Sequence, residues 1–441
     1  MNTKLLILFL SVVNLWSPVP VHAQDSLIYR PLTLDEVYKL TTANSYRLKI
    51  TARNVESAKQ RVEIVRSEKL PSLLSDLSYG YISNADTWSP SFTNHRTSQI
   101  PHQFTAFSIL ASQVVFKGGE LQNDLKKSTL EEQIARLSFE KNTQDVKLLV
   151  TAKYLDIYRM SSQKKIYQNN IKLTQNRLKN VLTMQKQGMV TKNDVLRTEL
   201  IISDFQLALR RINDDILILN KQLNIIAGLP DSEILVPDSL LLTEVHPGRS
   251  LIEYLNFADR SNQDLKIAGI NNQVAAYNVK LSGSDRFPQV SIYTRTNLQR
   301  PFTSVVPAVD IYSNVWQAGV GVHYNISSIY QARKRIRMTE TALAQAQDME
   351  ILDQQNVHVA ISAAYIKYSE ANEDLTTLNT DLKSAEENYR VVEKKYFNQL
   401  ALLTDMIDAT NIKIEAELKV VNARINVVYT YRQLLHSVGI L

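Results

Sequence analysis

The sequence predicts a mainly helical protein with a small set of membrane β-strands, forming a β-barrel. Three observations predict this fold: a duplicated segment, very long stretches without proline or glycine, and short alternating strands between them. Each half of the chain reads as helix, strand pair and long helix. A chain built twice from such a repeat favours a rotationally symmetric tube over an enclosed active site.

The duplicated segment occupies residues 34–71 and 251–288, with no gap between the copies. Each copy begins with the pattern of a helix capping box, Thr33-x-x-Glu36 and Ser250-x-x-Glu253. Helices are therefore expected to start at the same place in both copies. The matched identities are Leu34, Glu36, Leu48, Lys49, Ile50, Val62 and Pro71 with Leu251, Glu253, Leu265, Lys266, Ile267, Val279 and Pro288.

The first 23 residues read as a secretory signal peptide. Lys4 supplies its positive end, the stretch from Leu5 to Trp16 is apolar, and Val21-His22-Ala23 supplies the cleavage site. The apolar stretch is shorter than the roughly 20 residues that a membrane-spanning helix needs. The chain has no cysteine, which excludes disulfides, thiolate metal sites and a lipid anchor on an N-terminal cysteine.

Proline and glycine divide the mature chain into two repeats, 24–228 and 250–441, joined by a linker at 229–249. Residues 32–70, 120–187, 189–227 and 322–438 contain neither residue and are predicted to be extended helices. At about 1.5 Å per residue, the helix at 120–187 would be roughly 100 Å long. A coiled coil or helical barrel needs such a helix, and an ordinary globular core does not.

Four strands are predicted, at about 72–82 and 104–116 in the first repeat and 289–298 and 314–326 in the second. The fourth alternates most clearly, with apolar Trp316, Val320 and Val322 on one face and polar or small residues on the other. Such alternation over about ten residues is typical of a transmembrane β-strand. Because about eight strands are the practical minimum for a closed barrel, several chains must contribute. The polar loops 83–103 and 299–313 are expected on the outer surface.

The long helices are expected to fold back in two tight turns. Gly188 falls opposite Gln399, and Asp194 opposite Asp405. Glycine is favoured just past a helix end. Thr191 or Asn193 is predicted to cap the helix after the first turn, and Thr404 the helix after the second.

Three motifs, in this order and combined with the duplication, resemble the TolC-like outer-membrane efflux protein family over the whole mature chain. They are Leu32-Thr33-Leu34-Asp35-Glu36-Val37, Val115-Phe116-Lys117-Gly118-Gly119 and Thr404-Asp405-Met406-Ile407-Asp408-Ala409-Thr410. The resemblance implies a trimer with a twelve-stranded β-barrel in the outer membrane of a Gram-negative bacterium and a periplasmic α-helical barrel. It also implies an exit duct for an inner-membrane pump, as in tripartite efflux or type I secretion, reached through a periplasmic adaptor protein.

The resemblance also implies functional residues at the helix tips. Asp405 and Asp408 would ring the periplasmic aperture, and Asp194 and Tyr396 would belong to the lock of the closed state. Ala401 stands where the family has an arginine of that lock. The tips that would contact the adaptor are Gly188, Met189, Val190, Thr191, Gln399, Leu400, Ala401 and Leu402.

No enzyme motif is present: the sequence has no His-Glu-x-x-His, no phosphate-binding glycine loop and no nucleophile elbow. No cofactor and no metal site are expected, although His95 and His102 share one loop. The net charge of +6 is spread along the chain with acids interleaved, which does not indicate nucleic-acid binding. The alternative interpretation is an extended periplasmic coiled-coil or adaptor protein, which would not need the alternating strands.

Overall fold

The computed structural model describes residues 28–238, 248–305 and 307–441. The predicted signal peptide and residues 239–247 of the predicted linker lie outside the described residues. Within these ranges, none of the helices combines the length and apolar character that crossing a membrane requires. The elements, in chain order, are β1 Ile28–Leu32, α1 Leu34–Asn44, α2 Tyr46–Ser67, β2 Ser72–Tyr81, β3 Ala85–Thr87, β4 Arg96–Ser98, β5 Gln103–Phe116, α3 Glu120–Lys186, α4 Lys192–Ala227, β6 Glu233–Pro237, α5 Leu251–Ser261, α6 Gln263–Ser284, β7 Gln289–Arg300, β8 Ser313–His323, α7 Ser328–Phe397 and α8 Leu403–Val438.

The helices of the two repeats correspond closely in length. Helices α1 and α5 both have 11 residues, α2 and α6 both have 22, and α4 and α8 both have 36. The longest pair, α3 and α7, have 67 and 70 residues. Both predicted capping boxes are present, at Thr33 with Glu36 and at Ser250 with Glu253. The same local signals therefore start and end the same helices twice.

The prediction of one extended helix over residues 32–70 is wrong. The chain breaks at Ser45, between α1 and α2, and at the matching Asn262 between α5 and α6. Both residues have extended backbone angles, with ψ of 122° and 127°. The Asn262 side chain accepts hydrogen bonds from the backbone N–H groups of Asp264 and Leu265 and so starts a new helix. The side chain of Ser45 makes no such bond, so at this break the change of backbone angle alone separates the two helices, and neither break needs a proline or glycine.

Strands β2, β5, β7 and β8 form a four-stranded antiparallel sheet in that spatial order. The register puts Leu73 beside Ala111, and Ile292 beside both Gln113 and Val320. The other face is mostly polar and carries Asp76, Ser108, Arg295, Asn297 and Gln317, as the cross-strand pairs require. Cross-strand neighbours share a face, so each strand contributes its apolar residues to one continuous surface.

One residue departs from the predicted alternation. Strict alternation along β5 would put Val115 on the same face as Phe107 and Ile109, but the pairing of β5 with β7 shifts between Val114 and Phe116. Val115 is therefore the extra residue of a β-bulge: it has no partner on β7, although its neighbours Val114 and Phe116 do. The bulge ends the sheet just before α3 begins.

Two regions predicted as loop or linker contain strands. The loop 83–103 includes a short antiparallel hairpin of β3 and β4. The linker 229–249 includes β6, which pairs in parallel with β1 near the other end of the first repeat. Arg30 on β1 and Glu233 on β6 form an ion pair at 3.0 Å. Pairing between segments about 200 residues apart leaves no signal in a local pattern.

The largest buried cluster lies where α1, α3, α4 and α8 meet the β1–β6 pair. Tyr154 of α3 is fully buried there; its hydroxyl donates to the Leu32 carbonyl and accepts from the Asp238 N–H. Burial raises the pKa of Tyr154 to about 12. The hydroxyl thus satisfies two buried backbone groups and joins the linker to the helices.

Candidate functional site

The two turns at the helix tips have the same backbone geometry. Gly188 has a φ of 74° and Gln399 a φ of 63°. The N–H of Met189 bonds to the carbonyl of Met184, and the N–H of Leu400 bonds to the carbonyl of Lys395. Each turn has a second hydrogen bond, from the N–H of Gly188 to the carbonyl of Gln185 in the first and from the N–H of Gln399 to the carbonyl of Tyr396 in the second. These two bonds are those of a Schellman motif, so α3 and α7 end in the same way.

The helix after the first turn is capped as predicted by Thr191. Its side chain accepts from the N–H of Asp194, and the Asp194 carboxylate accepts from the N–H and hydroxyl of Thr191, both at 2.8 Å. The alternative cap, Asn193, is already inside α4. Asp194 therefore has a structural role in the turn in addition to its proposed role in gating.

The prediction that Thr404 caps the second helix is wrong. Helix α8 begins at Leu403, so Thr404 lies inside its first turn and Leu402 is the N-cap residue. The Leu402 N–H donates to Asp405 Oδ2 at 2.9 Å. Asp405 thus supports the start of α8 as Asp194 supports the start of α4, although a leucine stands where the first repeat has a threonine.

The tips of the two hairpins pack against each other within one chain. A buried cluster joins Val181 and Val195 of the first hairpin to Tyr389, Tyr396, Leu403 and Met406 of the second, and Val190 and Ala401 pack against it. The outermost apolar side chains stay exposed: Met189, Leu400 and Leu402 are 48%, 75% and 70% exposed. The predicted docking residues therefore form one surface made from both repeats.

Asp405 and Asp408 lie three residues apart in the first turns of α8, and both side chains are exposed. Residues at this spacing share one side of a helix. The cap contact of Asp405 uses one of its carboxylate oxygens. Both carboxylates are free to face an enclosed space if several copies bring their tips together.

Tyr396 lies close to Asp194 without bonding to it. Its side chain is 4% exposed, and among the described residues its hydroxyl has no hydrogen-bond partner. Burial, and after it the negative charge of Asp194, raises the pKa of Tyr396, whereas the positive charge of Arg177 lowers it. Ala401 packs on the same cluster and brings no charge to it.

A buried arginine that the sequence analysis missed lies behind Tyr396. Arg177 of α3 is 4% exposed and donates from Nη2 to the hydroxyl oxygen of Tyr389 at 3.1 Å. The Tyr389 hydroxyl in turn donates to Glu393 at 2.8 Å. Among the described residues, Arg177 Nε and Nη1 have no partner. This chain of contacts joins the first repeat to the second.

A signal for Arg177 was present in the sequence. The buried positions of this part of α3 are Asn170, Thr174, Arg177 and Val181, spaced by four, three and four residues. That is the spacing of the inner face of a packed helix. Continuing this spacing from Val181 towards the start of α3 predicts that Arg177, Thr174 and Asn170 are buried, although all three are polar.

The two loop histidines do not form a joint site. His95 bonds to Asp86 at 3.1 Å and its ring lies against Trp88, whereas His102 bonds to the Ile82 carbonyl and stacks on Tyr81. Within the described ranges, no group of three or more histidine or acidic side chains is arranged to hold a metal ion.

Comparison with known proteins gives a family match for the second half of the chain and a fold match for nearly all of it. Residues 255–439, within the second repeat, match the family model described as outer membrane efflux protein. A search of curated proteins found no match.

Solved channel structures share the fold over nearly the whole chain. The structure of CusC, a transmembrane channel, aligns with a TM-score of 0.77 at 13% identity, covering 92% of each chain. VceC from Vibrio cholerae aligns with a TM-score of 0.74 at 11% identity, covering 92% of this chain and 96% of that one. The CmeC outer membrane channel of Campylobacter jejuni aligns with a TM-score of 0.72 at 13% identity, covering 92% and 85%.

In sequence, residues 255–439 thus match the outer membrane efflux protein family, and in fold nearly the whole chain is similar to the solved structures of CusC, VceC and CmeC.

Proposed function

We propose that three copies of this chain form a channel that crosses the outer membrane and the periplasm and serves as the exit duct of a tripartite pump. The observation that carries the proposal is the four-stranded sheet. Its apolar face is exposed, with Leu73 and Leu77 both at 74%, Val320 at 66% and Val322 at 67%. A soluble protein rarely exposes such a continuous apolar surface, whereas a barrel facing lipid requires one.

Closure of the sheet requires further copies of the chain. In the described part of the chain, β2 and β8 each pair along one edge only. Unpaired backbone groups cannot face lipid, because no water is there to bond them. Pairing β8 of one copy with β2 of the next satisfies both edges. Three copies give twelve strands, the number that the family resemblance implies.

The helices continue the duct into the periplasm. Helices α3 and α7 extend roughly 100 Å from the sheet at about 1.5 Å per residue. The exposed tips, with Met189, Leu400 and Leu402, are the proposed contact for a periplasmic adaptor and through it for the inner-membrane pump. Asp405 and Asp408 of three copies form the proposed constriction. The match of residues 255–439 to the outer membrane efflux protein family supports this transport role.

Cross-linking tests the assembly directly, because the natural chain has no cysteine. Ser75 of β2 and Val320 of β8 lie on the same face of the sheet. With Ser75→Cys and Val320→Cys in one chain, a short bis-maleimide should link neighbours into a covalent trimer on a denaturing gel. Either single variant, as the matched control, should give no trimer. A double variant that stays monomeric in membranes contradicts the proposal.

The alternative of an extended periplasmic adaptor explains the helical hairpins alone. It leaves the sheet and its exposed apolar face without a role, and the solved structures that share the fold are outer membrane channels. The two functions differ in a simple measurement. A closed barrel in detergent should migrate differently on a gel before and after heating, whereas a soluble rod should not.

A further inference from the structure

The start of α7 has an unusual distribution of charge. Residues 324–337 contain Arg333, Lys334, Arg335 and Arg337 and no acidic residue. The N-terminal part of a helix carries partial positive charge and favours acidic side chains, yet the first turn of α7 has none. The four cations lie in the next two turns with no acid among them, so any neutralising anion must come from elsewhere.

Only one of these cations has such an anion in the described part of the chain. Arg335 pairs with Asp285 at the end of α6, at 2.7 Å. Arg333, Lys334 and Arg337 are exposed, and no carboxylate of the described residues forms an ion pair with them. Three unpaired cations are therefore available to a partner outside the chain.

The same segment is also apolar on its surface. Ile326 is 71% exposed, and Ile329 and Tyr330 are both 63% exposed. These three residues follow β8, which ends at His323, and they extend the exposed apolar surface of the sheet towards α7. Apolar and tyrosine side chains beside lysine and arginine are typical of a segment at a membrane interface, where the long cationic side chains reach the headgroups.

The two ends of the sheet differ in charge. At the helix end, Lys69 and Arg286 each precede a strand by three residues, and each has one acid beside it, Glu68 and Asp285, so the excess of positive charge there comes from the four cations of α7. At the loop end, residues 82–103 and 299–312 contain one base and one acid each: Arg96 with Asp86, and Arg300 with Asp310. The positive charge is thus concentrated at the end of the sheet that continues into the helices.

We propose that Arg333, Lys334 and Arg337 bind anionic phospholipid headgroups of the membrane leaflet that faces the helices. The inference rests on the proposed insertion of the sheet in a membrane. A second copy of the chain is a poorer partner. The helix that would lie beside α7 in the proposed assembly is α2, and residues 56–69, which cover the last turns of α2 and the two residues after it, hold four bases and three acids. Two of those acids, Glu56 and Glu63, already pair with Lys59 and Arg66.

The test uses the full chain, purified in detergent, with phosphatidylglycerol as the anionic probe and phosphatidylcholine as the neutral one. Bound lipid is counted by native mass spectrometry, and thermal stabilisation is measured in parallel. The test variant is Arg333→Gln with Lys334→Gln and Arg337→Gln, which leaves Arg335 and its partner intact. The matched control removes three exposed or half-exposed lysines of α3, far from the sheet: Lys165→Gln, Lys172→Gln and Lys179→Gln.

The unmodified protein and the control should prefer phosphatidylglycerol. The test variant should lose affinity for it by about fivefold per cation, on the order of a hundredfold in all. Arg333→Lys with Arg337→Lys should keep the preference, because the charge is retained. Raising the salt from about 0.15 M to 1 M should weaken it, because salt screens charges at the surface.

Three results would overturn the inference. The first is equal binding of both lipids by the unmodified protein, and the second is an unchanged preference in the test variant. The third is dissociation of the test variant into monomers in lipid-free detergent while the control stays assembled, which would assign the cations to a contact between copies. Failure of the proposed function gives a different result. If alkaline carbonate extracts the unmodified protein from phosphatidylcholine vesicles, the sheet is not inserted in the membrane.

Discussion

Gln399, with a φ of 63°, occupies the same position in the turn between α7 and α8 as Gly188, with a φ of 74°, does between α3 and α4. The left-handed conformation costs an ordinary residue about 1–2 kcal/mol and glycine almost nothing. The second repeat therefore keeps the turn geometry of the first without its favourable residue. Hydrogen bonds of the Schellman motif and the cluster beneath the tips hold the turn in place.

Substitutions at these two positions should change the free energy of unfolding in opposite directions. Gln399→Gly should stabilise the protein by about 1 kcal/mol, because it removes the backbone strain. Gly188→Ala should destabilise it by about 1 kcal/mol, since a Cβ there meets no neighbouring atom and only the strain remains. Denaturant unfolding of both variants measures the difference. A loss of stability in Gln399→Gly would show that the glutamine side chain has a further role.

The two buried tyrosines near the tips should respond differently to loss of the hydroxyl. Tyr389→Phe removes the hydrogen-bond acceptor of Arg177 Nη2 and should cost about 1–3 kcal/mol, because none of the guanidinium nitrogens then has a partner among the described residues. Tyr396→Phe removes a hydroxyl without a partner in the described chain and should change stability by about 0.5 kcal/mol or less. Thermal unfolding of the assembled protein compares them. The reverse order would show that Tyr396 finds its partner in a neighbouring copy.

Loosening of the closed state is a separate expectation. Asp194→Ala should raise the conductance of the channel, because it removes the charge beside Tyr396 and also the cap contact of the turn. The increase should be modest, since Ala401 cannot contribute the arginine of the family's lock. Single-channel recording in planar bilayers measures it. A conductance equal to that of the unmodified channel would contradict a role for Asp194 in closing.

Charge removal at the proposed aperture is best done with asparagine. Asp405→Asn with Asp408→Asn should reduce cation selectivity and block by multivalent cations, because rings of carboxylates at a constriction attract cations. Asparagine keeps an oxygen for the Leu402 N–H, so the start of α8 should stay intact. The control with the same charge change is Asp214→Asn with Asp215→Asn on α4. Unchanged selectivity in an assembled channel would place the constriction elsewhere.

The two faces of β8 should tolerate charge differently. Val320→Arg should cost about 2–4 kcal/mol if the residue lies near the bilayer midplane, because its side chain would face lipid in the proposed barrel. Gln317→Arg, on the opposite face of the same strand, should insert nearly as well as the unmodified protein. Gly319→Arg is a weaker control, since its Cβ would lie 3.1 Å from the Tyr293 hydroxyl. Folding into lipid vesicles at increasing urea measures the cost, and equal defects on both faces would refute the assignment.

Local patterns in the sequence determined most of the architecture. The capping boxes at Thr33 and Ser250, the runs free of proline and glycine, and the alternation of β8 predicted the helix and strand order. These features depend on neighbouring residues, so a single sequence contains them. The same patterns missed the break at Ser45, where a change of ψ to 122° ends α1 and no proline or glycine marks the place.

The tertiary structure decided which segments far apart in the chain contact one another. It paired β1 with β6, placed Arg177 against Tyr389, and brought Val190 and Ala401 onto one cluster. None of these contacts follows from periodicity, because each joins residues far apart in the chain, and their energies depend on burial that only packing creates. The sequence by itself determined a duplicated set of long helices with a strand pair in each half. Packing decided which polar side chains became buried at its tips.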